Sequence, residues 1–600
     1  MVAKTNKGLI NMETNHSITG VEANKLSVLY KLGIGLFGLG VLGIIELIST
    51  SILAKTKLSE TEHFSAFIIG SFTLMLLGIL LFTFSKSHFS FNSIYSKTTN
   101  LTQKTGLGIG VIGFGILGLS WFGISLEPAT LFLWLALGLM ALGILTYTYG
   151  TYNGQTAGIK NNHVWFNSFS SRGALGWLAG VALTAFYIQI YWFSDSLEHL
   201  IRLFDPLSFL LRGSLADQWF VYGTIYTFVI TFLGIKFIVK YRHNRYQIVR
   251  TISVIFFQMV FAYFLPFILE EFSTVGGYFG KDLKNVWPLN YGFIESYQLN
   301  AMAKEGVSGM YYFVWGILLF LVVTPFLTYL VGKRWYCSWV CGCGGLAETA
   351  GDSFRQLSSK TEVSWKLERW IMHSVMVFVL ITTVASLWPY FSGKDYEIGL
   401  ITITQKGYLI WTVALCILSA IALAFGARKY KKNVLLAGAI ILIFIAGLVA
   451  YAYYSGNTKV FYFKSASIKK VYGFLVGAAF AGVIGVGFYP ILGNRVWCRF
   501  GCPMAGYMGL FQRFKSRFRI TTNGSQCISC GNCSTYCEQG IDVRAYAQKG
   551  ENIVRSSCVG CGVCSAVCPR GVLKLENGPE EGRFDSNPLI ITKDGVKLNM

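Results

Sequence analysis

Runs of about twenty apolar residues recur along the whole chain, and nothing else in the sequence constrains the fold as strongly. A helix needs about 20 such residues to cross a hydrocarbon core roughly 30 Å thick. Inside that core every backbone polar group must be satisfied within the segment, which a helix does by itself. About twelve runs qualify, at 29–53, 64–84, 106–126, 129–150, 173–193, 217–240, 249–270, 310–331, 371–391, 407–426, 434–454 and 471–492. The expected fold is an all-α polytopic membrane protein with a small α+β domain at the C-terminus. Only 13% of residues are charged, against roughly 25% in soluble proteins. With 14 Cys in 600 residues the chain is too sparse in cysteine for a disulfide-stapled secreted domain.

The formal net charge of +22 is read as Lys and Arg gathered in cytoplasmic loops, not as a nucleic-acid surface. With the N-terminus inside, cytoplasmic connections carry Lys240, Arg242, Arg245 and Arg250, then Lys333, Arg334 and Arg355, then Arg428, Lys429, Lys431 and Lys432. Lys469 and Lys470 run against this pattern. An even number of spans returns the C-terminus to the cytoplasm. The first 28 residues are polar and show no secretory signal.

Two internal repeats organise the chain. Gly33, Gly35, Gly38, Gly40 and Gly43 are spaced like Gly108, Gly110, Gly113, Gly115 and Gly118, so residues 29–150 read as a duplicated helical hairpin. Small residues along one side of a membrane helix let backbones approach closely. Further on, Gly332-Lys-Arg334-Trp-Tyr-Cys337-x3-Cys341 is echoed by Gly493-Asn-Arg495-Val-Trp-Cys498-x3-Cys502-Pro503. The expected organisation is a tail (1–28), the paired hairpins (29–150), a membrane region (173–331), a duplicated unit with the Cys-x3-Cys motifs (332–510), a two-cluster domain (520–575) and a C-terminal tail (576–600).

Thirteen of the 14 cysteines fall into four groups. Cytoplasmic thiols stay reduced, so grouped cysteines there are ligands rather than disulfides. Cys416, alone inside an apolar run, is a packing residue. The strongest pattern is Cys527-x2-Cys530-x2-Cys533-x3-Cys537, repeated as Cys558-x2-Cys561-x2-Cys564-x3-Cys568-Pro569. Three thiolates at this spacing take three corners of an iron–sulfur cube, and the fourth completes the neighbouring cube. One [4Fe–4S] cluster is therefore expected on Cys527, Cys530, Cys533 and Cys568, the other on Cys537, Cys558, Cys561 and Cys564. Gly531, Gly560 and Gly562 permit the turns between them. A zinc site is the competing reading, although zinc ribbons do not normally repeat this spacing.

Residues four apart on a helix share a face, so Cys337/Cys341 and Cys498/Cys502 are expected to present two thiols each. Together they supply four ligands, enough for one further iron–sulfur cluster or a copper site, with Arg334, Arg495 and Arg499 favouring the thiolates. Packed, unligated thiols are the alternative, and Cys343 is a fifth thiol without an assignment.

With these motifs in view, the chain resembles the membrane polyferredoxins of the NapH/NosR/CcoG type. The resemblance covers roughly residues 310–575 and leaves the first eight spans without a counterpart. Gly342 replaces Pro after one Cys-x3-Cys pair. The eight-cysteine segment resembles a bacterial two-cluster ferredoxin domain, and Glu538 stands where its first four-cysteine run would usually be followed by Pro. The resemblance implies electron supply to a respiratory reductase, or oxidase assembly, at a bacterial inner membrane. Its implied partners are a cytoplasmic electron donor or quinone and a redox partner protein.

The basic segment from Phe511 to Arg519 places Phe511, Phe514 and Phe518 on one helical face, suited to an interfacial helix. His373 is a candidate for a quinone pocket, and Glu46, Glu270 and Glu271 are charges within or near spans. No histidine pair suited to a b-type haem lies within a span.

The leading expectation is an electron carrier or oxidoreductase subunit rather than a stand-alone enzyme. It passes electrons between a cytoplasmic partner or quinone and a respiratory redox partner. A copper- or thiol-reducing assembly factor is the first alternative. The second is a transporter with a redox-sensing tail, since twelve spans is a common transporter layout.

Overall fold

A computed structural model describes residues 28–54, 63–86, 100–154, 167–271, 283–285, 287–290, 293, 296–391, 395–430, 433–457, 470–514, 516–523, 526–578, 589–592 and 595–598. The expected N-terminal tail lies almost wholly outside these residues. The chain forms two compact units, 1–89 and 90–600. The first contains α1 (Val28–Ala54) and α2 (Phe64–Lys86), an antiparallel hairpin. Its glycines act through proximity: a Cβ on Gly40 would lie 2.5 Å from the Ser71 carbonyl oxygen, and one on Gly78 2.6 Å from that of Gly33.

The second unit opens with α3 (Leu101–Trp121) and α4 (Ala129–Tyr152). Asn100 and Gln103 form a reciprocal capping box that starts α3. A Cβ on Gly113 would meet the Ala136 carbonyl at 2.7 Å, so each glycine-rich hairpin is closed by the same device. There follow α5 (Ala174–Trp192), α6 (Gln218–Lys240), α7 (Arg245–Leu269), α8 (Val307–Val331), α9 (Glu362–Phe391), α10 (Gln405–Tyr430) and α11 (Asn433–Tyr454). A short hairpin, β1 (Tyr396–Ile398) with β2 (Ile401–Ile403), links α9 to α10.

Nine helices among the described residues are long and apolar enough to cross a membrane, α3 to α11, where the sequence predicted about twelve. The last expected span, 471–492, is interrupted. Helix α12 (Lys470–Ile484) is wound in wide π-type turns and stops at Ile484. The chain then turns through Gly485 and Gly487 and restarts as the short helix Tyr489–Leu492, with Pro490 at its start. A Cβ on Gly487 would lie 2.7 Å from Thr184 Oγ1, so this turn is pressed against α5. The other two runs form α1 and α2. In the latter the described apolar stretch is only the shorter Phe64–Gly78.

After α13 (Pro503–Phe514) comes the C-terminal domain. Strand β3 (Phe518–Thr522) pairs antiparallel with β4 (Leu573–Asn577), Phe518 opposite Asn577 and Ile520 opposite Leu575. The expected interfacial helix through Phe518 does not form: the helix ends at Phe514, and Phe518 is a buried strand residue. The strand wins because Phe518 and Ile520 join Ile541, Val543 and Ile553 in an apolar core between the two cysteine runs. A separate hairpin, β5 (Leu589–Thr592) with β6 (Gly595–Leu598), lies in the expected tail.

Alternation of the helices places one end of the membrane bundle against this domain. The C-terminal end of α8 accepts at Tyr329 O from Arg517 N (2.7 Å). The N-terminal end of α7 contributes Tyr246 and Gln247, and that of α9 contributes Trp365, under the Arg555 guanidinium at 5.0 Å.

Candidate metal centres

The two halves of the C-terminal domain are built alike. Gly531 (φ +79°) and Gly562 (φ +75°) each precede a one-turn helix, Asn532–Thr535 and Val563–Ala566, which carries the third cysteine of its run. One cavity is lined by Cys527, Cys530, Cys533 and Cys568, so the fourth cysteine of the second run reaches the first three of the other. Among the described residues no three His, Cys, Asp or Glu side chains converge tightly enough for a single metal ion. Four thiols around one cavity are a donor set that an iron–sulfur cube can use. Cys530 is exposed and Ile528 beside it is 55% exposed, so this site faces solvent.

The second group is enclosed. Cys558 and Cys564 are buried, and the thiols of Cys561, Cys558 and Cys537 stand near enough to raise the Cys564 pKa further above what burial alone imposes. Burial pushes Cys558 up to about 11 and Cys561 up to about 12.

The loop carrying Cys558 and Cys561 is held through its carbonyls by α7, by the turn that follows α8 and by α13. Tyr246 Oη donates to Gly560 O (2.7 Å), Gln247 Nε2 to Cys561 O (2.8 Å), Ser338 Oγ to Val559 O (2.8 Å) and Gln512 Nε2 to Cys558 O (2.6 Å). The close approach depends on Gly560. Its φ is +66°, and a Cβ there would lie 2.5 Å from Cβ of Arg334.

The Cys-x3-Cys pairs do not lie on continuous helices, contrary to expectation. In each, the chain makes a wide turn closed by the second cysteine: Cys341 N donates to Tyr336 O (2.8 Å) and Cys502 N to Trp497 O (2.9 Å). Cys341 then starts the helix Gly342–Thr349 as Cys502 starts α13. The duplication thus extends to backbone hydrogen bonds. Cys337, Cys498 and Cys502 share one buried cluster, against which Cys341, Cys343 and Cys561 pack. Burial pushes Cys337 up to about 12 despite Lys333 nearby. A hydrogen bond with Cys343 lowers Cys341 to about 6, which gives the unassigned fifth thiol a contact.

Of the three arginines expected at these thiols, one is placed there. Arg495 Nη1 stands 3.6 Å from Cys498 Sγ. Arg499 instead pairs with Glu368 (2.6 Å). Arg334 stacks on the rings of Phe518 and Tyr246, at 5.0 and 5.8 Å. Cys416 is buried among Val384, Trp388 and Ile445, as a packing residue would be. His373 contacts the Arg369 carbonyl of its own helix.

A buried ionic network ties these parts together, and the sequence pattern did not reveal it. Glu538 accepts from Arg355 Nη1 (2.5 Å) and Asn494 Nδ2 (3.1 Å) and pairs with Arg495 Nε (3.0 Å). Arg495 continues to Glu348 (2.5 Å), which also pairs with Arg250; Arg355 continues to Asp352 (2.7 Å), which pairs with Lys240. Burial pushes the Glu538 carboxyl up, but Arg355 and Arg495 outweigh it and hold its pKa below the usual range. The departure from Pro at Glu538 therefore has a structural role. The residue after Cys537 is the anion that joins the C-terminal domain to the base of the membrane bundle. The only sequence signal was that departure itself.

Two family descriptions match the chain: a 4Fe-4S dicluster domain over residues 519–569, and a 4Fe-4S binding domain found twice, over 313–361 and 474–521. No curated protein and no solved structure matches it. The two copies of the latter domain contain the two Cys-x3-Cys turns. The C-terminal half thus carries 4Fe-4S ferredoxin-type domains on a multi-pass membrane protein, a combination suited to electron transfer.

Proposed function

We propose that this chain carries electrons between a cytoplasmic donor or acceptor and a respiratory redox partner or the quinone pool at a bacterial inner membrane. One [4Fe–4S] cluster is held by Cys527, Cys530, Cys533 and Cys568, and a second by Cys537, Cys558, Cys561 and Cys564. A third redox site lies on Cys337, Cys341, Cys498 and Cys502. Both termini and the two-cluster domain face the cytoplasm. The observation that carries this reading is that Cys561 packs against the same buried apolar cluster that contains Cys337, Cys498 and Cys502. A ligand of the enclosed cluster thereby borders the core that holds the membrane site's cysteines, while Cys530 of the other cluster meets solvent.

The clusters supply one-electron chemistry when bound. The chain's own side chains ligate, exclude water and fix position. Tyr246, Gln247, Ser338 and Gln512 hold the Cys558–Cys561 loop by its carbonyls, and Arg495 places positive charge beside Cys498.

Anaerobic purification, iron analysis and EPR test the proposal. Two cubes give about eight irons per chain and a third gives about twelve. Substituting Cys337 and Cys498 together by Ser removes only the difference. Fewer than about eight irons in the unaltered protein would refute the two-cube reading.

A further inference from the structure

The α3–α4 hairpin lies outside both matched family regions, yet it forms one wall of a cavity. Gly106, Gly110, Phe114, Gly143 and Tyr147 supply that wall, and α6 closes the opposite side with Leu233 and Lys236. Its inner end is bounded by Tyr152, Phe169, Ser170 and Ser353. Two features make it unlike a packing defect. Lys236 lies within an apolar span, one turn deeper than Lys240, where an ionisable side chain is costly without a task. Lys240 is paired with Asp352, whereas among the described residues Lys236 makes no hydrogen bond or ion pair. Its ammonium stands over the Tyr147 ring, 6.0 Å from the centroid, and the Asp352 carboxylate acts on it from beyond ion-pair distance. The rim residues Val111 and Phe114 are each 58% exposed on a helix that crosses the membrane, so the cavity opens toward lipid.

A ligand entering this way must be lipophilic, and it must offer an acceptor to one ammonium. Close contact of α3 and α4 through Gly106, Gly110 and Gly143 leaves backbone as the floor, flanked by the rings of Phe114, Phe169 and Tyr147. Such walls suit a planar ring. Ser353 adds a link to the redox domain. It belongs to the segment Ala350–Leu357, whose Asp352 and Arg355 lead through the ionic network to Glu538, next to Cys537.

We propose that this cavity binds the ring of an isoprenoid quinone, with Lys236 donating a hydrogen bond to a ring carbonyl. The inference deepens the electron-transfer reading above and rests on it. It moves the quinone site from the expected His373 to Lys236.

The test uses the full-length protein, purified anaerobically in detergent, with a short-tailed naphthoquinone as probe and equilibrium dialysis as readout. Saturable binding is expected in the unaltered protein. Lys236→Met should weaken it by at least about tenfold, the scale of one lost charge-assisted hydrogen bond. Gly110→Leu, whose Cβ would meet only Gly143 Cα at 3.8 Å, should block the slot to similar effect. Both variants should keep their iron content and EPR spectrum. Absence of saturable binding in the unaltered protein, or binding by both variants as tight as by the unaltered protein, would overturn the proposal. So would an anionic phospholipid that copurifies with the unaltered protein, displaces the probe and is lost from Lys236→Met. Loss of iron with quinone binding intact would instead count against the electron-transfer reading.

Discussion

Replacing Glu538 by Gln keeps the size of the side chain and its acceptor oxygen but removes the charge on which two buried arginines depend. Arg355 and Arg495 are fully buried and face Glu538 at 2.5 and 3.0 Å. Each retains a second carboxylate, Asp352 at 2.7 Å and Glu348 at 2.5 Å. The network is therefore depleted rather than abolished. Breaking a buried ion pair by removing one partner costs about 3–5 kcal/mol. With those remaining partners, about 3 kcal/mol is the appropriate figure, and it falls on the joint between the C-terminal domain and the membrane bundle. At about 1.4 kcal/mol per factor of ten, the undocked population rises about a hundredfold. Limited proteolysis reads that population when reclosing is faster than cleavage. Cleavage between residues 515 and 578 should accelerate by about that factor, and iron should be lost from the cluster that includes Cys537. A second variant, Glu538→Gln with Arg355→Met, should recover part of the loss, because one uncompensated charge goes with it. A cleavage rate within about threefold of the unaltered protein would refute the reasoning, since so small a change is below about 1 kcal/mol.

Cys568→Ser should deplete the same cluster as Cys527→Ser and leave the other cluster's EPR signal unchanged, despite their belonging to different runs. Depletion of different clusters by the two substitutions would contradict the shared cavity. Gly560→Ala puts a Cβ 2.5 Å from Arg334 Cβ at a left-handed φ. It should cost at least about 1–2 kcal/mol and reduce iron retained after gel filtration, whereas Gly578→Ala, with open space around it, should not. Burial pushes the Asp352 carboxyl up, but Lys240 and Arg355 more than reverse this and lower it to about 2. A depressed folded pKa stabilises the fold above the ordinary value of about 3.9. That contribution is lost as pH falls toward about 2. In acid titrations followed by tryptophan emission, Asp352→Asn should remove the pH dependence arising in that window. An unchanged profile would show that Asp352 is not the titrating group.

Helical spans were legible because their signal is additive: each of α3 to α11 is long and apolar enough by itself, whatever its neighbours do. The last expected span was misread because its interruption at Gly485 and Gly487 depends on α5 pressing against it, and no window average records that. The interfacial helix failed at Phe518 for a related reason. Period alone placed its ring with Phe511 and Phe514, but pairing with β4 and burial in the domain core decided the backbone. Lys236 was overlooked because a lone lysine near the end of an apolar run resembles a flanking charge. Only the packing of α3 and α4 beside α6 gives it a cavity.

The sequence by itself determined the chemistry available: eight cysteines at cube-forming intervals, two repeated cysteine turns, and apolar stretches that only a bilayer would solvate. These are local properties, fixed by spacing and by transfer free energy. Tertiary structure decided which thiols line one cavity, that Cys561 borders the core containing Cys337, Cys498 and Cys502, and that Glu538 joins the two parts through buried arginines. Such choices bring together residues far apart in the chain. Their energies come from desolvation and charge pairing that exist only once the interior has closed.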